Sequence, residues 1–171
     1  MHALFRLPAI ALVLCSTSCF AGPRLGSTLA EFTSLFGAPG FSEDLGRTST
    51  FRWKRLRGRE PVLTAVAAAS FEVSALDGIV SEVVVRCKHP LSDAETALLA
   101  SRFLRRYRAA DFSKPSGSKD YKIYSTRDGA FVTVGEHRGR SVVVIRDASQ
   151  QRNQDIFDRE AAKVRPPTSN H

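Results

Sequence analysis

Beyond residue 21, few side chains in this sequence could do chemistry. They are His89, His137, His171, Cys87 and the pair Ser116 and Lys119. The histidines lack the spacing of a zinc-binding helix, and a single thiol cannot complete a structural zinc site. Ser116 and Lys119 have the Ser-x-x-Lys spacing of a serine nucleophile with its lysine, but they fall in a Gly- and Pro-containing loop that does not impose this geometry. We therefore predict no metal site, no cofactor and no catalytic motif.

An enzymatic function would need a pocket assembled from residues that are distant in the sequence. Asp77, His89 and His137 are the residues most suited to form one. A sequence does not show whether such side chains converge. A small periplasmic hydrolase therefore stays an alternative function, and we consider an enzyme less favoured than a binding protein.

A dense basic cluster is the strongest candidate for a binding site. Five basic side chains surround Phe51 and Trp53 near the end of a predicted strand: Arg52, Lys54, Arg55, Arg57 and Arg59. Because Trp and Arg dominate interface energetics, we predict a surface for an acidic protein or another anion, with Trp53 as its anchor. The alternative is a solvated strand end with Trp53 buried in the core.

A second group of arginines follows helical spacing. Arg102, Arg105 and Arg106 lie three and four residues apart, which places them on one face of a predicted helix. Charged residues on one side of a helix are typical of a solvated face. We interpret this group in that way, with an anion-binding surface as the alternative.

The first 21 residues have the order of a secretory signal peptide. Arg6 precedes an apolar run at residues 7–14, and small residues then lead to Ala21. The apolar run is too short to span a bilayer permanently. We predict an exported, periplasmic or outer-membrane-associated protein, whose only remaining cysteine after cleavage, Cys87, is either buried and inert or paired with another chain.

Cys19 raises the alternative of a lipid anchor. Bacterial lipoproteins are cleaved just before a cysteine that follows small residues, and residues 16–18 are partly of that kind. Ser16 stands where such proteins normally have Leu, so cleavage after Ala21 fits at least as well. Membrane association is predicted only if Cys19 is lipidated.

The charge of the chain favours anionic partners. The formal net charge is +8, and +7 remains once Arg6 leaves with the leader. An excess of this size favours an acidic protein surface, acidic glycans or lipid headgroups, although solubility alone would also explain it. The export signal argues against nucleic acid as a partner.

The pattern of helix caps and strands predicts an α+β fold in which short helices pack on an antiparallel sheet. Two units follow each other, residues 22–89 and 90–147, each with a helix and then three strands. The helices are predicted at 28–36 and 92–108, and the strands at 48–56, 62–74, 79–87, 121–125, 130–136 and 141–146. This arrangement indicates a tandem α-β-β-β repeat, in one six-stranded sheet or two halves. Residues 148–171 are predicted to form a polar helix and a disordered tail.

One stretch resembles a known family. The helix start Gly26-Ser27-Thr28 with Glu31, the stop Leu35-Phe36-Gly37-Ala38-Pro39 and the strand motif Phe51-Arg52-Trp53 are similar to those of the SmpA/OmlA-type outer-membrane assembly lipoproteins. The wider group includes the β-lactamase-inhibitor-protein-like fold, sometimes built from tandem repeats. The resemblance implies a non-enzymatic envelope protein that binds other proteins, without naming a partner. The chain departs from the family in its poor lipid-attachment motif, its length and its lack of disulfides.

Taken together, these observations predict an exported, non-enzymatic protein-binding module of the bacterial cell envelope. Its predicted binding residues are Arg52, Trp53, Lys54, Arg55, Arg57 and Arg59. The alternatives are the small hydrolase and an envelope protein that docks on anionic lipid through the same basic cluster.

Overall fold

A computed structural model of the chain describes residues 22–54, 60–108, 116–117, 121–126 and 129–147. Its helices are α1 (Leu29–Phe36), α2 (Pro61–Ala65) and α3 (Asp93–Phe103). Its strands are β1 (Phe41–Asp44), β2 (Thr48–Trp53), β3 (Ala68–Leu76), β4 (Ile79–Cys87), β5 (Ser116–Gly117), β6 (Tyr121–Ser125), β7 (Phe131–His137) and β8 (Arg140–Arg146). The predicted leader and the predicted C-terminal helix lie outside the described residues.

The described strands form one antiparallel sheet of eight, in the order β1-β2-β3-β4-β8-β7-β6-β5. The sheet is therefore continuous, and the pairing of β4 with β8 joins its two halves. The predicted α+β class is confirmed, with sheet outweighing helix. The prediction of six strands was too low, because β1 and the two-residue β5 add an edge strand on each side.

Helix α1 begins and ends where its sequence predicts. The Thr28 hydroxyl accepts from the Glu31 amide, and the Glu31 carboxylate accepts from the Thr28 amide at 2.7 Å, which completes a capping box. Gly37 follows the last turn at φ 79°, a conformation that side chains disfavour. The same device begins α3, where Ser92 and Glu95 form a second capping box. Helix α3 ends at Phe103, five residues before the predicted end.

Residues 62–65 are helical, which corrects the prediction of a strand over 62–74. Pro61 occupies the first turn of α2, where its missing amide costs no hydrogen bond, and Glu60 caps the helix. Val62, Leu63 and Val66 turn toward the core. A short apolar run fits a buried helix as well as a buried strand, so periodicity did not separate the two. The strand β3 begins only at Ala68.

Two tight turns set the register of the central strands. Asp77 and Gly78 have φ values of 51° and 78° between β3 and β4, as expected for the predicted Asp-Gly hairpin. Arg138 and Gly139, at 50° and 71°, join β7 to β8 in the same way. Because side chains alternate along a strand, these turns decide which residues face the helices.

One face of the sheet packs against the helices. Phe71 of β3 lies at the centre of an aromatic cluster, with ring centroids 4.7 Å from Phe36, 5.3 Å from Phe103, 5.7 Å from Trp53 and 6.0 Å from Phe32. Alternate residues of the other strands extend this core toward β7. No helix among the described residues is both long and apolar enough to cross a lipid bilayer.

The opposite face, which we call the outer sheet face, carries the other set of alternate side chains. The register aligns them across the sheet: Arg52, Glu72, Val84, Val144, Thr133 and Ile123 in one row, and Glu82, Arg146 and Phe131 in the next. None of these residues belongs to the core cluster that the helices cover.

Candidate functional site

Trp53 does not stand on the surface, which corrects its predicted role as an anchor. Its side chain is 3% exposed and contacts the rings of Phe36 and Phe71. The indole Nε1 donates to the carbonyl of Gly37 at 2.9 Å, so its polar atom is also satisfied inside the protein. Trp53 thus joins the end of α1 to the sheet and is not available to a partner.

Arg52 points to the outer sheet face, away from the helices. Its guanidinium pairs with Glu72 of β3 and lies 5.1 Å from the ring centroid of Phe41. Arg86 shares the same Glu72 carboxylate at 3.4 Å, and Arg146 pairs with Glu82. These three arginines therefore have acidic partners inside the sheet, and their charge is largely neutralised before any ligand arrives.

Lys54 is the one member of the predicted cluster that the structure describes as exposed. It has no acidic partner within 4.0 Å among the described residues. Arg55, Arg57 and Arg59 lie outside those residues. The structure thus separates Arg52 and Trp53, which serve the fold, from Lys54, which faces solvent.

Arg102 is buried, although its spacing indicated a solvated face. Its side chain is 1% exposed, and Nε and Nη2 donate to Glu60 Oε2 at 2.8 and 2.7 Å. Nη1 donates to the carbonyl of Pro23 at 2.8 Å, and the guanidinium lies 4.9 Å from the Phe103 ring centroid. The sequence marks Glu60 only as a carboxylate that precedes a proline at the start of a helix. Its partner Arg102 is 42 residues away, so the contact arises from tertiary packing and not from a local pattern.

Exposed cations also follow α3 in the chain. Arg105, Arg106 and Arg108 follow the last turn of the helix, and none has an acidic partner within 4.0 Å among the described residues. We call Lys54, Arg105, Arg106 and Arg108 the basic surface. It takes exposed residues from both of the clusters that the sequence showed and adds Arg108.

The residues proposed for a hydrolase do not converge. Asp77 lies in the turn before β4, where it pairs with Arg47 at 2.6 Å, and hydrogen bonds from Arg47 lower the pKa of its carboxyl group. His89 follows the opposite end of the same nine-residue strand. His137 also lies at that end, where it pairs in register with Arg140. Asp77 is thus a strand's length from both histidines, and the predicted pocket is not formed.

Cys87, Ser116 and Lys119 are the other residues whose side chains could do chemistry. Cys87 is 2% exposed, and burial, with a smaller contribution from Glu95, raises the pKa of its thiol to about 11. Ser116 lies on β5 rather than on a helix, and Lys119 is outside the described residues. Within the described part of the chain, no group of three or more His, Cys, Asp or Glu side chains could hold a metal ion.

Comparisons with protein-family models, with curated proteins and with solved structures found no match to this chain.

Proposed function

We propose that this protein is an exported, non-enzymatic protein-binding module of the bacterial cell envelope, and that it binds an acidic protein surface through the basic surface. The proposal rests on the contrast between basic side chains that have an acidic partner and those that have none. Arg52, Arg102 and Arg146 have carboxylate partners, at Glu72, Glu60 and Glu82. Lys54, Arg105, Arg106 and Arg108 have none among the described residues, so their field extends into solvent.

An acidic partner is favoured by the physics of such a surface. Grouped cations attract an oppositely charged protein before contact and hold it in the correct orientation. Exposed ion pairs contribute little affinity one at a time, so several must act together. Arg105, Arg106 and Arg108 supply this grouping because they follow one another beyond α3, and the net charge of +8 reinforces it.

We also propose that the two halves of the sheet are a tandem repeat, as the family resemblance implies. Each half starts with a helix that begins in a capping box, formed by Thr28 and Glu31 in one and by Ser92 and Glu95 in the other. Each continues into antiparallel strands, and the last strands of the halves, β4 and β8, pair with each other.

Anionic lipid is the second candidate partner, because the described fold begins beside the basic surface. A Cβ atom on Gly22 would lie 2.6 Å from Nη2 of Arg102, so the chain enters the fold at the last turn of α3. A lipidated Cys19, three residues earlier, would hold that end of the protein at the membrane. Polybasic surfaces next to a lipid anchor bind anionic headgroups.

Charge reversal tests the two candidates together. The variant K54E/R105E/R106E removes the basic surface, and K88E/R138E/R140E makes the same change in charge at exposed cations elsewhere. The two variants and the unmodified protein are applied to solubilised envelope proteins of the native host and to phosphatidylglycerol vesicles. We expect the first variant alone to lose a protein partner that the other two retain.

Three other outcomes are informative. Equal loss in both variants would show that net charge, and not this surface, is responsible. Binding to vesicles that fails in K54E/R105E/R106E and weakens steeply with salt would favour the lipid-docking function. If neither variant changes any binding, the basic surface serves solubility and the proposal is wrong.

A further inference from the structure

The outer sheet face carries an apolar cleft that the core does not use. Ile123, Phe131, Thr133, Val144 and Arg146, from β6, β7 and β8, line a space of about 210 Å³. All five residues are half-buried. An apolar concavity of this kind on a sheet face marks a place where another element packs.

The centre of the same face is already shielded from water. Val84 of β4 is 7% exposed, although it does not belong to the core cluster beneath the helices. Its cross-strand neighbours are Glu72 and Val144. The charged groups around it are paired, Glu72 with Arg52 and Arg86, and Glu82 with Arg146. Around Val84 the face therefore offers apolar contact within a frame of ion pairs.

The chain itself supplies a segment of matching character next to this cleft. Strand β8 ends at Arg146, which lines the cleft, and 24 residues follow Asp147. Phe157, Ala161 and Val164 recur at the i, i+4, i+7 spacing of one helix face, with Ile156 beside them. Apart from Ala148, Ala162, Pro166 and Pro167, the rest of that stretch is polar, so its large apolar side chains are confined to this stripe.

The length of a helix in this segment also matches the width of the cleft. Residues 148–155, polar except for Ala148, give the chain room to turn back at the end of β8. A helix over 156–165 would be roughly 15 Å long at 1.5 Å per residue, which spans about three strands at their usual spacing of about 4.8 Å. That is the width of the cleft, which runs from β8 through β7 to β6.

We propose that residues 148–171 fold back onto the outer sheet face of their own chain and seat Ile156 and Phe157 in the cleft. The segment then covers the outer sheet face as α1, α2 and α3 cover the opposite face, so that the sheet lies between two helical layers. This inference does not depend on the basic surface, because none of its residues contributes to the cleft.

Thiol labelling in the full chain measures whether the cleft is covered. Val144→Cys, and separately Thr133→Cys, is placed in a background with Cys15→Ser and Cys19→Ser, and the labelling of the buried Cys87 in that background serves as the blank. We expect slow labelling of both positions, and at least a tenfold faster rate when I156D/F157D is added. The control R159Q/A162D makes the same change in net charge on the other side of the proposed helix and leaves the rate unchanged.

Two results would overturn the proposal. Fast labelling of both positions in the otherwise unmodified chain would show an open cleft. Protection that disappears on dilution would show that a second copy covers it. Circular dichroism confirms that each variant is folded, and nuclear Overhauser contacts between the Phe157 ring and the Ile123 and Val144 methyl groups give a direct second readout.

Discussion

Arg102 and Glu60, 42 residues apart in the sequence, form a buried ion pair with nitrogen–oxygen distances of 2.7 and 2.8 Å. The pair connects the last turn of α3 with the residue that caps α2, and Arg102 also binds the carbonyl of Pro23. Three segments that are distant in sequence thus meet at one guanidinium, on which the arrangement of the helical layer depends.

Removal of one partner of this pair is expected to be strongly destabilising. Arg102→Met leaves the Glu60 carboxylate buried without its cation, and Glu60→Gln leaves the guanidinium without its anion. Breaking a buried pair in this way costs about 3–5 kcal/mol of unfolding free energy. Urea denaturation measures it, and the double variant R102M/E60Q should lose less than the sum of the single losses. Additive losses would contradict a direct coupling.

Gly22 is predicted to tolerate no side chain. A Cβ atom there would lie 2.6 Å from Nη2 of Arg102, whose hydrogen bonds to Glu60 and Pro23 prevent it from moving aside. Gly22→Ala should therefore cost about 1–3 kcal/mol of unfolding free energy, as other overpacking substitutions do. Gly40→Ala is the control, because the nearest atom to a Cβ at that position is 3.9 Å away. Equal thermal stability of the two variants would contradict the prediction.

The capping box of α3 predicts how much stability the Ser92 hydroxyl contributes. Ser92 Oγ accepts from the Glu95 amide at 3.2 Å, and the Glu95 carboxylate accepts from the Ser92 amide at 2.8 Å. Ser92→Ala removes the first of these bonds and should lower the unfolding free energy by about 1 kcal/mol. Ser92→Asp keeps an acceptor and should restore most of the loss. The midpoint of urea unfolding separates the three proteins.

Cys87 is expected to stay unlabelled in the folded protein. Burial raises its pKa to about 11, so below that pH the group is a thiol, which is a poor nucleophile, and its side chain is also enclosed. In the background that lacks Cys15 and Cys19, Ellman's reagent at pH 8 should react only after denaturant is added. Rapid reaction without denaturant would contradict the burial.

The same thiol makes the fold sensitive to alkaline conditions. A folded-state pKa of about 11, above the usual value of 9.0, means that the unfolded state releases its proton first as the pH rises. The contribution of Cys87 to stability is therefore complete below pH 9.0 and declines as the pH rises toward 11. Cys87→Ala should flatten the fall in stability over this interval, as measured by urea denaturation.

Local signals in the sequence predicted much of the fold. Both capping boxes, the Gly37 stop and the Asp77-Gly78 turn depend on residues that are neighbours in the chain, and each is found where its pattern indicates. Strand β6 has its predicted bounds. The strand β1 was missed because Phe-Ser-Glu-Asp is an exposed edge with no alternation of apolar residues.

The candidate site was harder to predict, because it depends on which way side chains point. Arg52 and Trp53 are adjacent, so the pleat sends them to opposite faces of the sheet, one to Glu72 and the other to the core. A one-residue difference in register would exchange their roles. The partner of Arg102 comes from another part of the chain, and no local pattern indicates a contact across 42 residues.

The pairing of β4 with β8 bears on how this chain reaches its final form. Strand β4 gains its second neighbour only when residues 140–146 have been made, long after β4 itself. Until then the most valine-rich strand of the protein has a bare edge, open to pairing with other chains. Contacts between such distant segments also close slowly. A nascent chain of this design is most vulnerable before the β7–β8 hairpin has been made, and it gains most from a chaperone that shields the free edge of β4 until that hairpin arrives.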